Sequence, residues 1–203
     1  FLHPLHLEDC LSKTQRPKLD HDDDYLFFII HIPIFDKLQR VSQSREVEIF
    51  VGRGFVVTLN QEDVVPLERM FAALERDAGL RDRLMGRGAW FLFYNILSRL
   101  VEYMFPMLDK VDTHLERLEG EIFTANAPHL VKEISFVRRD IIAMRHIVKP
   151  QVAVIRSLEQ VRPRFLQENS EEYFGDLGDK IGGLGLARRL LRCHRGLECH
   201  LRE

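Results

Sequence analysis

The segment Tyr25-Leu26-Phe27-Phe28-Ile29-Ile30 decides the fold of this 203-residue chain. It follows the charged run Asp20-His21-Asp22-Asp23-Asp24 and joins aromatic to β-branched residues over the length of a strand. Because successive side chains of a strand point to opposite faces, an unbroken apolar run predicts a strand that is buried on both faces. We therefore expect a central strand in a sheet that is covered on both sides.

Two further strands are predicted after this one. Val47, Ile49 and Val51 alternate with charged or polar residues, and the turn residues at 52–54 lead into the run Phe55–Leu59. Alternation with period two and a short connection are typical of neighbouring antiparallel strands. The sequence predicts a three-stranded antiparallel meander.

Shorter helices are expected before and after this sheet. Pro4 suits the first turn of a helix, which predicts a helix over residues 4–11. Apolar residues between 62 and 78 predict a second helix that packs on the sheet, and it is closed by Gly79, Gly86 and Gly88.

Two long helices follow, and their apolar residues recur at alternating steps of three and four, as in helices that pack along each other. These residues are Val101, Met104, Leu108, Val111, Leu115, Leu118 and Ile122 in the first helix and Leu130, Ile134, Val137, Ile141, Met144 and Val148 in the second. The short break at 124–128 predicts an antiparallel hairpin. We expect Pro106 and Pro150 to kink these helices or to shift their ends.

A last helix is predicted from Ser170, a good N-cap residue with glutamates directly after it. Glycines at 175, 178, 182, 183 and 185 follow, and each costs about 1 kcal/mol in a helix relative to alanine. A helix through them therefore requires tertiary support.

Composition narrows the class of protein. The net charge of −2 gives no reason to expect nucleic acid as a partner. The longest apolar stretch, 25–35, is interrupted and shorter than the roughly 20 residues of a membrane-spanning helix. No basic region followed by an apolar run opens the sequence, so we expect no signal peptide. The three cysteines, an odd number, favour a reducing compartment. We expect an intracellular location.

Four groups of polar residues could bind ions or a membrane, and each also has a structural interpretation. One group could either bind a metal ion or form the start of a helix with acidic residues in its first turn, and it consists of His3, His6, Glu8 and Asp9. The run 20–24 could be a calcium-binding loop or a solvated turn, but it lacks the glycine and the distal glutamate of a calcium-binding loop. The Cys-His pairs at 193–194 and 199–200 suggest a zinc site, but the two pairs point to different faces of a helix. The arginines of 188–202 could form a solvated helix face or a segment close to a membrane. No arrangement of nucleophile, base and oxyanion donor is recognisable, so we expect no enzyme.

Motifs in a fixed order carry a resemblance to a known family. The most specific are His3-Pro4-Leu5-His6-Leu7-Glu8-Asp9 and Gln15-Arg16-Pro17-Lys18, and the segments 24–27, 55–58, 103–108 and 173–177 match in the same order. The chain resembles the cytoplasmic domain of CorA-type magnesium transporters over nearly its whole length.

The resemblance implies a fold and an assembly. The fold is α/β: residues 1–88 form a partial α/β/α sandwich with a largely antiparallel sheet whose first strands precede Phe1, 89–165 form a long helical hairpin, and 166–203 start a stalk helix. Members of this family are homopentameric channels on the cell inner membrane, with this domain on the cytoplasmic side. The transmembrane helices are absent from this chain.

The resemblance also implies site residues and a regulatory ion. Asp9 of one subunit faces Asp176 of its neighbour's stalk, with Glu8 beside them. Magnesium is the expected ion, with cobalt or calcium able to substitute. A second family site falls at Ser98 and Lys180, where this chain lacks the acidic residue and the histidine, so a second ion is not expected.

Three functions stay open from the residues alone. The first is ion sensing and gating in a magnesium or cobalt transporter. The second is zinc transport in the same superfamily, with roles for His3, His6 and Cys193. The third is a coiled-coil scaffold that binds another protein through its helical hairpin.

Overall fold

A computed structural model of the chain describes residues 2–12, 15–61, 63–121, 127–161 and 170–182. The elements follow in the order α1 Pro4–Leu11, β1 Lys18–His21, β2 Tyr25–Asp36, β3 Val41–Gly52, β4 Phe55–Leu59, α2 Val65–Arg76, α3 Ala78–Met85, α4 Ala89–Glu121, α5 Ala127–Ser157 and α6 Ser170–Ile181.

The strands form an antiparallel sheet in the order β1-β2-β3-β4. β2 is buried along its first nine residues, as its apolar run predicts. The three predicted strands form the expected antiparallel meander as β2, β3 and β4. The sheet has one further strand that was not predicted, because β1 pairs with β2 from Lys18 opposite Ile29 to His21 opposite Leu26. β1 is short and mostly polar, so backbone pairing rather than side-chain pattern defines it.

Helices cover both faces of the sheet. One face presents Leu26, Phe28 and Ile49 to a core that includes α4, α5 and α6. The other face forms a smaller cluster that includes Phe27 and Phe50 and packs against α1. The chain is therefore an α/β/α sandwich with a largely antiparallel sheet.

The helical hairpin is formed by α4 and α5, which pack on each other. The predicted heptad residues line this contact and are buried or half-buried, apart from Ile122, which lies outside the described residues. Neither Pro106 nor Pro150 ends its helix. Both prolines are exposed, so the carbonyl group that loses its helical hydrogen bond lies on the water-facing side.

Two buried polar side chains of α5 complete the sheet where its outer strands stop. The side-chain oxygen of Gln151 accepts a hydrogen bond from the His31 backbone N–H at 2.9 Å, and its amide group donates to the His31 carbonyl at 2.7 Å. Asp140 accepts a hydrogen bond from the Ser42 backbone N–H at 2.6 Å. These contacts fix α5 on β2 and β3 by pairing backbone groups that lack a strand neighbour.

The helix expected over residues 62–78 is α2, and a second helix, α3, which was not predicted, follows it directly. α2 ends at Arg76, and Asp77 accepts a hydrogen bond from the Leu80 N–H at 2.9 Å, which caps α3. An aspartate in extended backbone conformation is a strong N-cap, and this one starts a new helix before Gly79.

α6 begins at Ser170 as predicted and continues through Gly175 and Gly178 to Ile181. Its tertiary support comes from α4 and α5, and the turn that follows α5 approaches so closely that a Cβ atom at Gly178 would lie 2.6 Å from a Glu159 carboxylate oxygen. The glycines at 183 and 185 lie outside the described residues.

Candidate cation site

α1 is fixed on the sheet by its histidines and one cysteine. Tyr25 accepts a hydrogen bond from the His3 backbone N–H at 2.8 Å and contacts Nδ1 of His6 at 2.7 Å. The His6 ring lies 4.7 Å from the Phe27 ring in a tilted arrangement, and Cys10 packs on the same cluster. Burial lowers the pKa of His6. These contacts give the histidines structural roles and determine which face of α1 is exposed.

Asp9 is half-buried at the edge of α1 and forms an ion pair with a lysine of β1. The Lys18 ammonium lies 2.7 Å from Oδ2 of Asp9 and 2.6 Å from Oδ2 of Asp20. Burial lowers the pKa of Lys18, but the hydrogen bonds to Asp20 and Asp9 outweigh it and raise this pKa overall. Glu8 is exposed to solvent.

Asp176 lies on the outer face of α6 and also pairs with a lysine. The Lys180 ammonium, one turn farther along the helix, is 3.0 Å from Oδ2 of Asp176 and 3.5 Å from Oε1 of Glu102. The Tyr94 hydroxyl lies 3.5 Å from the same Asp176 oxygen. Burial lowers the pKa of Lys180, and the hydrogen bond to Asp176 reverses this effect and raises it.

The position of Asp176 is set by the packing of α6. Phe174, Leu177 and Ile181 are buried at spacings of three and four, which is the inward face of a helix. Tyr173 lies among aromatic side chains of α4 and accepts a hydrogen bond from Arg87 at 2.9 Å. The inward face is thus fixed, and Asp176 is directed outward, 52% exposed.

The structure does not bring the predicted carboxylates together within one chain. Asp9 belongs to α1, on the sheet face of Phe27, whereas Asp176 belongs to α6, which packs in the core on the opposite face. In the described ranges, no group of three His, Cys, Asp or Glu side chains is arranged to hold a metal ion. A cation held by both residues therefore requires two chains.

The chemistry of the donors fits magnesium. Asp9, Asp176 and Glu8 offer carboxylate oxygens that are at least partly accessible to water. Mg2+ is a hard cation that keeps several of its waters and is usually held by one or two carboxylates. Each carboxylate can meet that requirement without a complete protein cage around the ion.

The residues of the second family site lie close to the first. The Ser98 hydroxyl donates a hydrogen bond to Oε1 of Glu102 at 3.0 Å, and the Lys180 ammonium is 3.5 Å from the same oxygen. This group holds one carboxylate and a built-in positive charge, a poor donor set for a second cation.

Two other sequence hypotheses can be placed. In the run 20–24, Asp20 pairs with Lys18, and Asp22 accepts a hydrogen bond from the Asp23 backbone at 2.8 Å, as in a solvated turn. The Cys-His pairs at 193–194 and 199–200 and the arginines of 188–202 lie outside the described residues.

Sequence reasoning missed a polar cluster on the sheet face of α1. Glu46 accepts a hydrogen bond from the Gln15 backbone at 2.8 Å and lies 3.6 Å from His31. Glu48 is only 2% exposed. Burial raises the pKa of both glutamates and lowers that of His31. The sequence contained a signal for this cluster. The apolar run of β2 predicts burial on both faces, so the charged residues that alternate along the neighbouring strand β3 are expected to be buried as well.

Lys18, Lys180 and Tyr94 were also missed as partners of the predicted carboxylates. Lys180 could have been found from its spacing to Asp176, because residues four apart on a helix are neighbours. Tyr94 could not, because its contact joins residues that are far apart in sequence.

Comparison with protein families gives a match over almost the whole chain. A family described as "CorA-like Mg2+ transporter protein" matches residues 1–195. The chain is 29% identical over 208 aligned positions to the putative metal ion transporter YfjQ of Bacillus subtilis, covering 99% of this chain and 60% of YfjQ. It is 27% identical over 180 positions to the cobalt/magnesium transport protein CorA of Thermotoga maritima, covering 88% of this chain and 50% of that protein. The chain thus spans about half to three-fifths of the length of these relatives.

Solved structures share the fold. The soluble domain of CorA from Methanocaldococcus jannaschii has a TM-score of 0.83 at 18% identity, covering 97% of this chain and 76% of that one. The ZntB cytoplasmic domain from Vibrio parahaemolyticus has a TM-score of 0.69 at 14% identity, covering 99% and 77%. Among the described residues of this chain, no helix has the length and apolar character needed to span a membrane.

Proposed function

This chain belongs to the CorA-like Mg2+ transporter protein family, and from this premise we propose that it is the cytoplasmic ion-sensing and gating domain of a divalent-cation transporter. The cation is magnesium or cobalt, as in the name of the Thermotoga maritima relative. The regulatory ion binds between Asp9 of one subunit and Asp176 of the next, with Glu8 beside them.

One observation carries the proposal beyond the family match. Asp9 and Asp176 are held on opposite sides of the sheet, each on a helix whose inward face is fixed by packing, and each keeps an accessible carboxylate. Two such groups on one chain are suited to meet the complementary group of a neighbouring copy in a head-to-tail ring.

The mechanism follows from charge. Two carboxylates that face each other across a subunit boundary repel, and a bound cation neutralises this repulsion. A shift of Asp9 is passed through α1 to the sheet, and a shift of Asp176 is passed along α6, which is the start of the proposed stalk helix. We expect negative feedback: high internal magnesium fills the sites and holds the ring closed, and the ring loosens when the cation is scarce.

The assembly and location belong to the same proposal. The full protein is a homopentamer that is anchored in the cell inner membrane by transmembrane helices, and this domain lies on the cytoplasmic side. The role is regulatory and non-enzymatic. Nucleic acid is not a partner.

Zinc is the alternative cargo, because the ZntB cytoplasmic domain shares the fold. The donor set favours magnesium over zinc. The predicted ligands are carboxylates, whereas His3 and His6 are engaged at the α1–sheet contact. Zinc displacing cobalt at micromolar concentration would favour the alternative.

The test is thermal unfolding of the protein, titrated with magnesium, cobalt or calcium, for the wild type and for Asp9→Ala and Asp176→Ala. A site filled to a hundredfold above its Kd contributes about 2.7 kcal/mol, a midpoint rise of roughly 5 to 10 °C for a chain of this size. Both variants should lose this rise. Asp179→Ala is the matched control, since Asp179 is an exposed aspartate of the same helix.

The outcomes separate the hypotheses. A rise that both variants abolish and the control keeps supports a carboxylate site for the ion. A rise that survives in both variants places the ion elsewhere. No divalent-dependent change in midpoint or in assembly by light scattering would contradict ion sensing and favour the scaffold hypothesis.

A further inference from the structure

Each half of the proposed site contains its own lysine. Lys18 pairs with Asp9 at 2.7 Å, and Lys180 pairs with Asp176 at 3.0 Å. Both ammonium groups contact the Oδ2 atom of their carboxylate, so a cation that binds that oxygen competes with the lysine for it.

Each lysine also contacts a second carboxylate. Lys18 lies between Asp9 and Asp20, and the Asp20 contact measures 2.6 Å. Lys180 lies between Asp176 and Glu102, and the Glu102 contact measures 3.5 Å. The same arrangement therefore occurs twice, once between α1 and β1 and once between α6 and α4, and in both places a displaced ammonium group keeps a negatively charged partner.

We propose that Lys18 and Lys180 are tethered competitors of the divalent cation, which set the concentration at which Asp9 and Asp176 fill. This inference rests on the proposed function. When the cation binds, Lys18 stays on Asp20 and Lys180 moves to Glu102. When the cation leaves, each lysine returns and neutralises its aspartate, which limits the repulsion between subunits.

The expected size of the effect is modest. The Lys180 side chain is 33% exposed and that of Asp176 is 52% exposed. Ion pairs exposed to this degree are weak, because water screens most of their attraction. Removing the Lys180 ammonium should therefore lower the magnesium concentration at half-saturation by about two- to fivefold. A larger shift is not expected, because the cation competes with a weak pair.

The decisive experiment measures the magnesium concentration that gives half of the maximal rise in thermal midpoint, for the wild type and three variants. Lys180→Gln removes the charge, and Lys180→Arg keeps it. Lys110→Gln removes the same charge from an exposed residue of α4 that is about 12 Å farther along the helix than Glu102. That distance exceeds the screening length of about 8 to 10 Å at physiological salt.

The inference predicts a lower half-saturation concentration for Lys180→Gln and little change for Lys180→Arg and Lys110→Gln. Lys18→Gln should shift this concentration in the same direction, and its unfolding midpoint without magnesium shows whether α1 stays docked on the sheet.

If the wild type responds to magnesium but Lys180→Gln has an unchanged or higher half-saturation concentration, the competition is refuted and the proposed function stands. If Lys110→Gln lowers the half-saturation concentration as much as Lys180→Gln does, the effect comes from the net charge of the protein and not from a local lysine, and the inference is also refuted. If neither wild type nor variants respond, the proposed function itself fails, and this inference with it.

Discussion

Gln151 joins a helix to the sheet through a single side chain. It is 1% exposed, and its amide group pairs with both backbone groups of His31 on β2 while also donating to the Ile147 carbonyl at 2.8 Å. A glutamine in a basic helix gives no hint of this role in the sequence. The contact joins residues 120 positions apart, and only the folded chain reveals it.

Replacing Gln151 by leucine should be costly. The change keeps an apolar stem of similar size but leaves the His31 N–H and carbonyl buried without partners, each at a cost of about 1 to 3 kcal/mol. We expect Gln151→Leu to lower the free energy of unfolding by about 2 to 4 kcal/mol in urea titrations. Gln160→Leu, at an exposed position, should stay within about 0.5 kcal/mol of the wild type. A loss below about 1 kcal/mol for Gln151→Leu would show that water or another group replaces the amide.

Gly175 offers a test in the opposite direction. It lies inside α6, and a Cβ atom added there would meet no heavy atom within 4 Å. Gly175→Ala should therefore raise the free energy of unfolding by about 0.5 to 1 kcal/mol, since alanine restricts the unfolded chain and suits a helix. Gly178→Ala is the control, because its Cβ atom would press on Glu159 and gain less. If Gly175→Ala destabilised the protein, another surface would have to pack against this residue.

At the level of elements, the success of sequence reasoning depended on how strongly each pattern was repeated. The heptad residues of α4 and α5 repeat over many turns, and the doubly buried β2 is continuous, so both were predictable. β1 has four residues and no apolar pattern, and the break between α2 and α3 depends on one side chain of Asp77. Such features are decided by single hydrogen bonds, which periodicity does not encode.

One ion pair ties the turn between β2 and β3 to α5. Arg40 donates two hydrogen bonds to Glu133, at 2.7 and 2.6 Å, and its guanidinium lies 4.3 Å from the Phe136 ring. Arg40 has a φ of 53°, a left-handed conformation that is unfavourable for a side chain of this size. The pair with Glu133 therefore stabilises a turn that its own backbone disfavours.

Because of this ion pair, we expect the free energy of unfolding to change with pH in the acidic range. The Arg40 hydrogen bonds lower the pKa of Glu133 from 4.5 to about 2 in the folded chain. Because the folded pKa is the lower one, the contribution is complete above pH 4.5 and is lost as the pH falls toward 2. We expect Glu133→Gln to destabilise the protein at pH 7 and to differ little from the wild type near pH 2. Urea titrations across this range, with the exposed Glu116→Gln as control, measure the difference. A difference that is constant with pH would contradict the assignment.

At the scale of the whole molecule, the sequence motifs could identify Asp9 and Asp176 but not the groups around them. The lysine partners, the Tyr94 contact and the buried Glu46 and Glu48 depend on which elements meet in space. Because the sheet separates α1 from α6, the site that we propose for Asp9 and Asp176 can close only between two copies of the chain.

That geometry gives a test that needs no structure of the assembly. In a head-to-tail ring, each interface takes Asp9 from one chain and Asp176 from the next. Chains with Asp9→Ala and chains with Asp176→Ala each lack every complete site when expressed alone. Co-expressed in equal amounts and mixed at random, they should rebuild about a quarter of the interfaces, because an intact Asp9 then meets an intact Asp176 at that frequency. We expect the mixture to recover part of the magnesium-dependent midpoint rise that neither variant shows alone. A site within one chain would give no recovery, since every chain in the mixture carries one defect.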